Sequence, residues 1–228
     1  MVVKFDINLH QRILNSLLIE ILKGLDEKIA FKGGTCAALF YNLNRFSFDL
    51  DFDILEDLTS EEIDMVREAL AKHGTIRDFY EKRYSIFFLL DYGKYYPNIK
   101  IEFNKRVWEN NNYKMIWFLG IRMKIVDEAT IFTNKLVALT TRRETVGRDL
   151  FDAYYFLKQR FPINENLIRE RTDKSLKDYL RFLISFIKKN YTERNILQGL
   201  GEVLNPQQKE WAKKNLIPET VKEIKSLI

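Results

Sequence analysis

Three aspartates, Asp49, Asp51 and Asp53, occupy every second position of one short apolar stretch. Alternate side chains of an extended strand point to the same face, about 7 Å apart along the strand. Carboxylates this close repel one another unless a cation lies between them, and hard oxygen ligands favour Mg²⁺ or Mn²⁺. The pattern therefore predicts a divalent metal site in which Asp49 and Asp51 hold the ion.

Two adjacent glycines, Gly33 and Gly34, precede the aspartates. A turn without side chains lets phosphate oxygens approach backbone N–H groups at the start of a helix, where the helix dipole favours negative charge. Mg²⁺ in proteins usually leaves several of its coordination positions to water and substrate phosphates. Together the two motifs predict a site for a triphosphate and its metal ion.

Three simpler structures could give rise to part of this pattern. A calcium loop of the EF-hand type also begins Asp-x-Asp-x-Asp, but Ile54 stands where that loop needs glycine and Ser60 where it needs a bidentate glutamate. A Walker loop requires Gly-Lys-Ser/Thr, which does not follow these glycines. A solvated acidic edge strand would account for an isolated Asp-x-Asp. The glycine pair upstream favours the metal and phosphate site instead.

Apolar periodicity predicts the elements that carry these motifs. Strict apolar and polar alternation around the aspartates predicts a half-buried strand. Thr35 is a suitable N-cap for the helix after the glycines, and Thr59 with Glu62 has the spacing of a capping box. In the first part of the chain the sequence predicts helices at 8–24, 36–43 and 60–72 and strands at 29–31, 46–55, 84–90, 99–103, 116–121 and 124–126.

A change of pattern near residue 127 divides the chain. Before it, a turn signal at 91–98 indicates that the strands on either side pair antiparallel. Beyond it the sequence predicts helices near 127–143, 148–160, 174–190, 193–203, 206–214 and 218–227. The predicted class is α+β, with a mixed sheet flanked by helices at 1–126 and a helical bundle at 127–228.

Composition narrows the classes of protein further. The chain has 228 residues and 46% hydrophobic residues, enough for a packed core. Its single cysteine, Cys36, excludes an internal disulfide and a cysteine zinc site, while His10 and His73 lack metal-ligand spacing. The start of the chain lacks the order of a signal peptide and no apolar run has the length of a membrane span, so a reducing cytoplasm is expected. The net charge of +5 permits a polyanionic partner.

The motifs carry a family resemblance. The glycine pair followed by Asp-apolar-Asp resembles the signature of the DNA polymerase β-like nucleotidyltransferase superfamily. Lys-Gly-Gly-Thr at 32–35 with Arg-Phe-Ser-Phe-Asp-Leu-Asp-Phe at 45–52 is similar to the AbiEii/AbiGii toxin family, which includes the MenT-type tRNA-modifying toxins. The stretch 134–142 resembles that family's Lys-x-x-Ala-x-x-x-Arg helix, and 148–152 resembles its Arg-Asp-x-x-Asp motif. The resemblance implies a nucleotidyltransferase-like sheet as the core.

The resemblance also implies roles for the acidic residues. Asp49 and Asp51 would hold Mg²⁺ or Mn²⁺, and a third carboxylate would help to deprotonate the attacking hydroxyl. Glu102 is the first choice because it lies on the polar side of the strand predicted at 99–103, and Asp53 is the alternative.

Phosphate contacts are implied for the motif residues outside the aspartates. Lys135 and Arg142 fall on one stripe of the helix predicted at 127–143, so both could address phosphates. Lys135 is therefore counted as a catalytic residue as well. The implied nucleotide-binding set is Gly33, Gly34, Thr35, Arg45, Ser47, Lys135 and Arg142.

The Arg-Asp-x-x-Asp motif supplies one more acidic residue to the implied site. Asp152 is the first choice and Asp149 the alternative, and the chosen residue could orient Lys135 or Arg45 rather than touch metal. Arg148 lies one turn before Asp152, and the two could simply pair. In this scheme the C-terminal domain contributes Lys135 and Asp152 to the cleft.

The implied function is a metal-dependent transfer of a nucleoside monophosphate from a nucleoside triphosphate to an RNA acceptor, with tRNA expected. The protein would be the toxin of a toxin–antitoxin or abortive-infection system, with an antitoxin protein as a possible partner. Two alternatives stay open at this point: the same chemistry on a small-molecule or protein hydroxyl, and a binding module on a catalytically degenerate scaffold.

Overall fold

The computed structural model describes residues 6–94, 96–201 and 204–228. The start of the chain at 1–5 and residue 95 of the predicted turn lie outside this part. The chain forms two compact units. The first consists of Met1–Tyr41, Ser47–Val107 and Tyr113–Val126, and the second of Asn42–Phe46, Trp108–Asn112 and Asp127–Ile228.

A mixed sheet forms the centre of the first unit. Its order, over the described residues, is β3-β4-β5-β2-β1-β7-β6. β2 pairs parallel with β5 and β1 pairs parallel with β7, while the other neighbours are antiparallel. The strands are β1 (Ile29–Lys32), β2 (Leu50–Ile54), β3 (Thr75–Glu81), β4 (Ser85–Asp91), β5 (Ile99–Asn104), β6 (Tyr113–Phe118) and β7 (Ile121–Val126). The predicted antiparallel pairing across the turn at 91–98 is confirmed as β4 and β5.

One face of this sheet is apolar. Phe52 of β2 lies between Phe31 of β1 and Phe103 of β5, with ring centroids 5.3 and 5.0 Å apart. All three rings are buried. Aromatic rings that are buried in contact with one another stabilise the fold by more than their buried area alone would give. The opposite face therefore carries the polar residues of the same strands, among them the aspartates.

The helices of the first unit are α1 (Ile7–Leu25), α2 (Gly33–Phe40) and α3 (Ser60–Ala71), with a 3-10 turn at Asp26–Lys28. The capping box predicted for α3 is confirmed, since Thr59 and Glu62 exchange side-chain and backbone hydrogen bonds. α2 differs from its prediction because it begins at Gly33 and its N-cap is Lys32, not Thr35. Glycine is a poor helix former, so the sequence pattern placed the start too late.

Three differences concern strands. β2 begins at Leu50 rather than at 46, because residues 46–49 lack ladder partners despite their alternation. The strand predicted at 116–121 runs through a turn in which Leu119 and Gly120 both have positive φ, 48° and 83°. That turn connects β6 and β7 as a hairpin. β3 had no prediction, since its residues are largely exposed and show no apolar run.

The second unit is helical: α4 (Glu128–Thr141), α5 (Gly147–Lys158), α6 (Glu165–Thr172), α7 (Leu176–Asn190) and α8 (Pro206–Lys225). α6 was not predicted because only Leu167 and Ile168 are buried in it. The helix predicted at 193–203 is a series of turns over 193–201, and residues 202 and 203 lie outside the described part. α8 continues through Pro218, where two helices were predicted. The apolar residues on both sides of this proline are buried, which holds the two halves in one helix.

The described helices include none that is both long enough and apolar enough to cross a membrane.

Candidate active site

The turn between β1 and α2 lies directly against the carboxylate of Asp51. Gly33 has a φ of +81°, a backbone conformation that residues with side chains rarely adopt. A Cβ atom placed on Gly33 would lie 2.0 Å from Asp51 Oδ2 and 2.8 Å from Asp51 Cβ. Only glycine therefore allows this approach, and the structure brings together the two motifs that the sequence singled out.

Asp49 lies one residue before β2 and is fixed through its backbone and its side chain. Its Oδ1 accepts a hydrogen bond from the backbone N–H of Lys100 on β5, at 3.3 Å. Its carbonyl oxygen accepts one from the hydroxyl of Thr35, at 2.5 Å. Thr35 is buried in the first turn of α2 and so ties the glycine turn to the start of β2. This contact, rather than a helix cap, is the role that the structure gives Thr35.

Strand register places Lys32, Asp51 and Glu102 in one row. Lys32 of β1 is the cross-strand partner of Asp51 on β2, and Asp51 is the partner of Glu102 on β5. Partners in register point to the same face of a sheet. Glu102 is exposed and Asp51 is half-buried. The row therefore presents two carboxylates and one ammonium group on the polar face.

This donor set fits a divalent cation that is held partly by the protein. Among the described residues, no group of three or more His, Cys, Asp or Glu side chains is arranged to enclose a metal ion. Mg²⁺ is typically bound through one or two carboxylates, with water and substrate phosphates in the other positions. Asp49 and Asp51 supply carboxylates, and that of Asp51 lies directly against the turn at Gly33.

Asp53 lies on the same face as Asp51 but in a different environment. Its side chain is 1% exposed, and its Oδ1 lies 2.5 Å from the ammonium nitrogen of Lys32. The hydroxyl of Tyr113 donates to its Oδ2 at 3.0 Å. Of the two carboxylates considered for the third position, Asp53 is thus enclosed by a cation and a phenol, while Glu102 is open to solvent.

A second cluster lies in the helical unit. Asp152 on α5 is fully buried and accepts two hydrogen bonds from the guanidinium of Arg45, at 2.5 and 2.6 Å. Lys135 Nζ on α4 lies 2.8 Å from Asp152 Oδ2. Burial by itself raises the pKa of Asp152, but the charges of Arg45 and Lys135 outweigh it and lower the pKa to about 2. Asp152 is therefore an anion at neutral pH, and it holds two cations in place.

The other residues of the Arg-Asp-x-x-Asp motif do not take part in this cluster. Asp149 is buried, and its Oδ2 lies 2.7 Å from Arg142 Nε in an ion pair without hydrogen-bond alignment. Arg142 follows the last residue of α4 in an extended conformation, so it does not continue the stripe of Lys135. In this structure Asp152 pairs with Arg45 and Lys135 rather than with Arg148, the pairing that the sequence left open.

Arg45, predicted as a nucleotide ligand, has a side chain only 1% exposed. Besides Asp152, its guanidinium donates to the carbonyl oxygen of Phe46 at 2.7 Å. These contacts make it a buried counter-ion in this structure. The remaining residues of the predicted nucleotide set, Gly34 and Ser47, are half-buried in the first unit.

Two residues beside the aspartates had no predicted role, Lys32 and Tyr113. Lys32 was part of the glycine motif, and strand alternation could have placed it on the polar face. Tyr113 comes from β6, 60 positions after Asp53, and no local signal connects the two.

Replacing Gly33 by alanine is expected to lower nucleotidyl transfer about 100-fold, because the added methyl group must displace Asp51, and small misplacements of a reacting site have effects of this size. Gly120→Ala is the matched control. Gly120 has nearly the same φ, +83°, but an added Cβ would meet nothing within 4 Å. Both variants carry backbone strain of about 1–2 kcal/mol, so equal transfer rates in the two variants would contradict the placement of Asp51 against the turn.

Comparisons with known proteins identify the family of this chain and structures with a similar fold. The model of the family described as "Nucleotidyl transferase AbiEii toxin, Type IV TA system" matches residues 16–219. The fold is similar to the crystal structure of a candidate nucleotidyltransferase from H. pylori, with 24% identity, a TM-score of 0.56 and 97% of each chain covered. It is also similar to JHP933 from Helicobacter pylori, with 23% identity, a TM-score of 0.54 and 95% of each chain covered. A comparison with curated proteins gives no match.

Proposed function

Because this chain belongs to the AbiEii nucleotidyltransferase toxin family of type IV toxin–antitoxin systems, we propose that it transfers a nucleoside monophosphate to an RNA acceptor, with tRNA as the substrate. Family membership implies a nucleoside triphosphate as the donor and a cognate antitoxin as a partner. The cytoplasm, where tRNA and triphosphates occur together, is the proposed compartment.

The observation that carries the proposal is the contact between the glycine turn and Asp51. A phosphate at this turn would meet backbone N–H groups at the start of α2 and, beside the turn, the carboxylate of Asp51, with that of Asp49 two positions earlier in the chain. Those carboxylates repel a phosphate unless a cation lies between them. This combination supports a site for a metal-bound triphosphate over a site for a neutral ligand.

Asp49 and Asp51 are the residues that would hold the divalent ion, proposed to be Mg²⁺ or Mn²⁺. When bound, such an ion neutralises the charge that develops on the phosphates during transfer. The two carboxylates are anchored differently. Asp49 is held by the Lys100 N–H and the Thr35 hydroxyl, and Asp51 by its place in the middle of the sheet. Both are therefore positioned before any ligand arrives.

In the transfer step, a hydroxyl oxygen of the acceptor forms a bond to the α-phosphorus, and the bond from that phosphorus to the bridging oxygen breaks, releasing pyrophosphate. The hydroxyl proton needs an acceptor. Glu102 suits this role because it is exposed and in register with Asp51, whereas Asp53 already accepts from Lys32 and Tyr113.

In the helical unit, the proposal gives Asp152 the role of orienting Lys135. A lysine acts on phosphate as a point charge, so its position matters more than the direction of its donors. The ion pair at 2.8 Å fixes that position, and the side chain of Lys135 keeps 14% exposure. Lys135 thus stays the predicted phosphate contact of this unit, with Arg45 as a structural partner.

RNA is proposed as the acceptor because the protein carries a positive net charge of +5. Exposed lysines lie on the second unit, including Lys188 and Lys189 in the last turn of α7 and Lys213 and Lys214 on α8. Lysine and arginine side chains supply most of the sequence-independent affinity for an RNA backbone, and this affinity falls steeply with added salt.

The proposal is tested by incubating the protein with each of the four nucleoside triphosphates, labelled at the α-phosphate, together with Mg²⁺ and total tRNA. We expect label on tRNA with at least one nucleotide, and binding to tRNA that weakens as salt is added. Label on protein or on a small molecule instead would favour the alternative acceptors. The absence of any transfer from all four nucleotides would contradict the proposed activity.

A further inference from the structure

Three residues from three strands form a charged cluster on the polar face of the sheet. Lys32 comes from β1, Asp53 from β2 and Tyr113 from β6. Asp53 is the centre of this Lys32–Asp53–Tyr113 cluster: one oxygen meets the ammonium of Lys32 at 2.5 Å and the other accepts from the hydroxyl of Tyr113 at 3.0 Å. Since β7 and β1 separate β6 from β2, the tyrosine side chain reaches across both strands.

The carboxylate at the centre of the cluster is buried. Asp53 is 1% exposed, while Lys32 keeps 24% exposure. A buried carboxylate is costly unless it is paired and hydrogen-bonded, so Asp53 fixes the ammonium group in place. The lysine is thus immobilised at its far end and is still accessible from solvent.

The position of Lys32 relates this cluster to the proposed triphosphate site. Lys32 directly precedes Gly33 and is the N-cap residue of α2. It is also the cross-strand partner of Asp51. The backbone of Lys32 therefore lies next to the glycine turn, and its ammonium group is held at Asp53, two positions along β2 from a carboxylate proposed to hold the metal ion.

Lys124 shows that such a placement is not a general property of lysines in this sheet. Lys124 lies on the neighbouring strand β7, in register with Ala30 and therefore on the same face. Its side chain is 25% exposed, almost the same as that of Lys32. It contacts Glu27, donating to the backbone carbonyl at 2.9 Å, before the start of β1 and away from the glycine turn. Lys124 is thus a matched control, because its exposure is similar but its ammonium group contacts Glu27.

We propose that Lys32 is a phosphate-binding residue of the triphosphate site, and that Asp53 and Tyr113 are positioning residues that hold its ammonium group. This inference rests on the proposed function and adds a protein cation to the site. It also gives Asp53 a role other than that of the third carboxylate. The ligand group that Lys32 would recognise is a polyphosphate, whichever base the nucleotide carries.

The test measures the affinity of the folded protein for inorganic triphosphate in the presence of Mg²⁺, by titration calorimetry. This probe has no base, so the unknown nucleotide preference does not enter. We expect Lys32→Met to weaken binding about tenfold or more, the range of a hydrogen bond to a charged group. Tyr113→Phe is expected to weaken it about two- to tenfold, because the ammonium is held less firmly. Lys124→Met is expected to bind as the wild-type protein does.

A second variant separates binding from folding. Lys32→Met leaves Asp53 without its cation and lowers the melting temperature, whereas the double variant Lys32→Met with Asp53→Asn removes both charges together. A purely structural ion pair predicts that the double variant regains wild-type affinity along with stability. The proposal predicts that its affinity stays about tenfold low.

The measurements distinguish failure of the role given to Lys32 from failure of the proposed function. If the wild-type protein binds triphosphate and Lys32→Met or the folded double variant binds it equally well, the role of Lys32 is overturned and the transferase proposal stands. If the wild-type protein binds no triphosphate, both are overturned.

Discussion

Asp51→Asn is expected to lower nucleotidyl transfer at least about 100-fold while the fold stays intact. Mutation of residues that only support metal ligands already lowers metal affinity or activity by about 10–100-fold, and Asp51 is proposed as a ligand itself. The replacement keeps the shape of the side chain, so the contact with the turn at Gly33 gains no heavy atoms. Transfer is measured with α-labelled triphosphates, and the fold by circular dichroism and thermal melting. Asp49→Asn is expected to behave in the same way.

The matched control is Asp57→Asn. Asp57 is exposed and lies beyond the end of β2, so its replacement removes the same charge without touching the row of Lys32, Asp51 and Glu102. Wild-type transfer by Asp51→Asn would exclude the metal assignment. Unchanged toxicity in both aspartate variants would instead support a binding module without catalysis.

Asp152→Ala is expected to lower the free energy of unfolding by about 3–5 kcal/mol, the range found when one partner of a buried ion pair is removed. The change leaves Arg45, which is 1% exposed, and Lys135 without their common counter-ion. Stability is measured by denaturant titration. Glu210→Ala removes an exposed carboxylate from its pair with Lys213 on α8, and we expect it to change stability by less than about 1 kcal/mol. Equal losses in the two variants would show that the buried cluster does not stabilise the helical unit.

The low pKa of Asp152 also predicts a dependence on pH. Its pKa falls from an ordinary 3.8 to about 2, because the charges of Arg45 and Lys135 outweigh the opposing effect of burial. A pKa that is lower in the folded state stabilises the protein above the unfolded value, and this stabilisation is lost as the pH falls toward the folded value. The difference in unfolding free energy between wild type and Asp152→Asn should therefore narrow by about 2 kcal/mol between pH 5 and pH 2. A constant difference over that range would contradict the charged cluster.

Local signals were sufficient to predict the glycine turn and the strand that carries Asp51. Alternation identifies a half-buried strand within a few residues, and paired glycines mark a position where backbone must come close to something. The sequence could also place Glu102 on the polar side of its strand. These predictions depend on short-range geometry that each segment carries by itself.

The partners of the acidic residues could not be predicted in the same way. Asp53 looks like Asp51 in the sequence, and only the register of β1 and the reach of Tyr113 distinguish them. Arg45 and Asp152 are 107 positions apart, so no periodicity connects them. Contacts of this kind follow from tertiary packing, which overrides the local preferences that a single sequence displays.

The membership of residues 42–46 in the helical unit has a consequence for how the polypeptide can be divided. This five-residue segment lies between α2 and β2 in the sequence. It nevertheless supplies the guanidinium of Arg45, which pairs with the carboxylate of Asp152 on α5. A fragment cut at 127 would contain the anion without this partner, so we expect the isolated helices to be less stable than the complete unit. Completing the unit brings together residues 107 positions apart, and contacts this distant in the sequence slow folding.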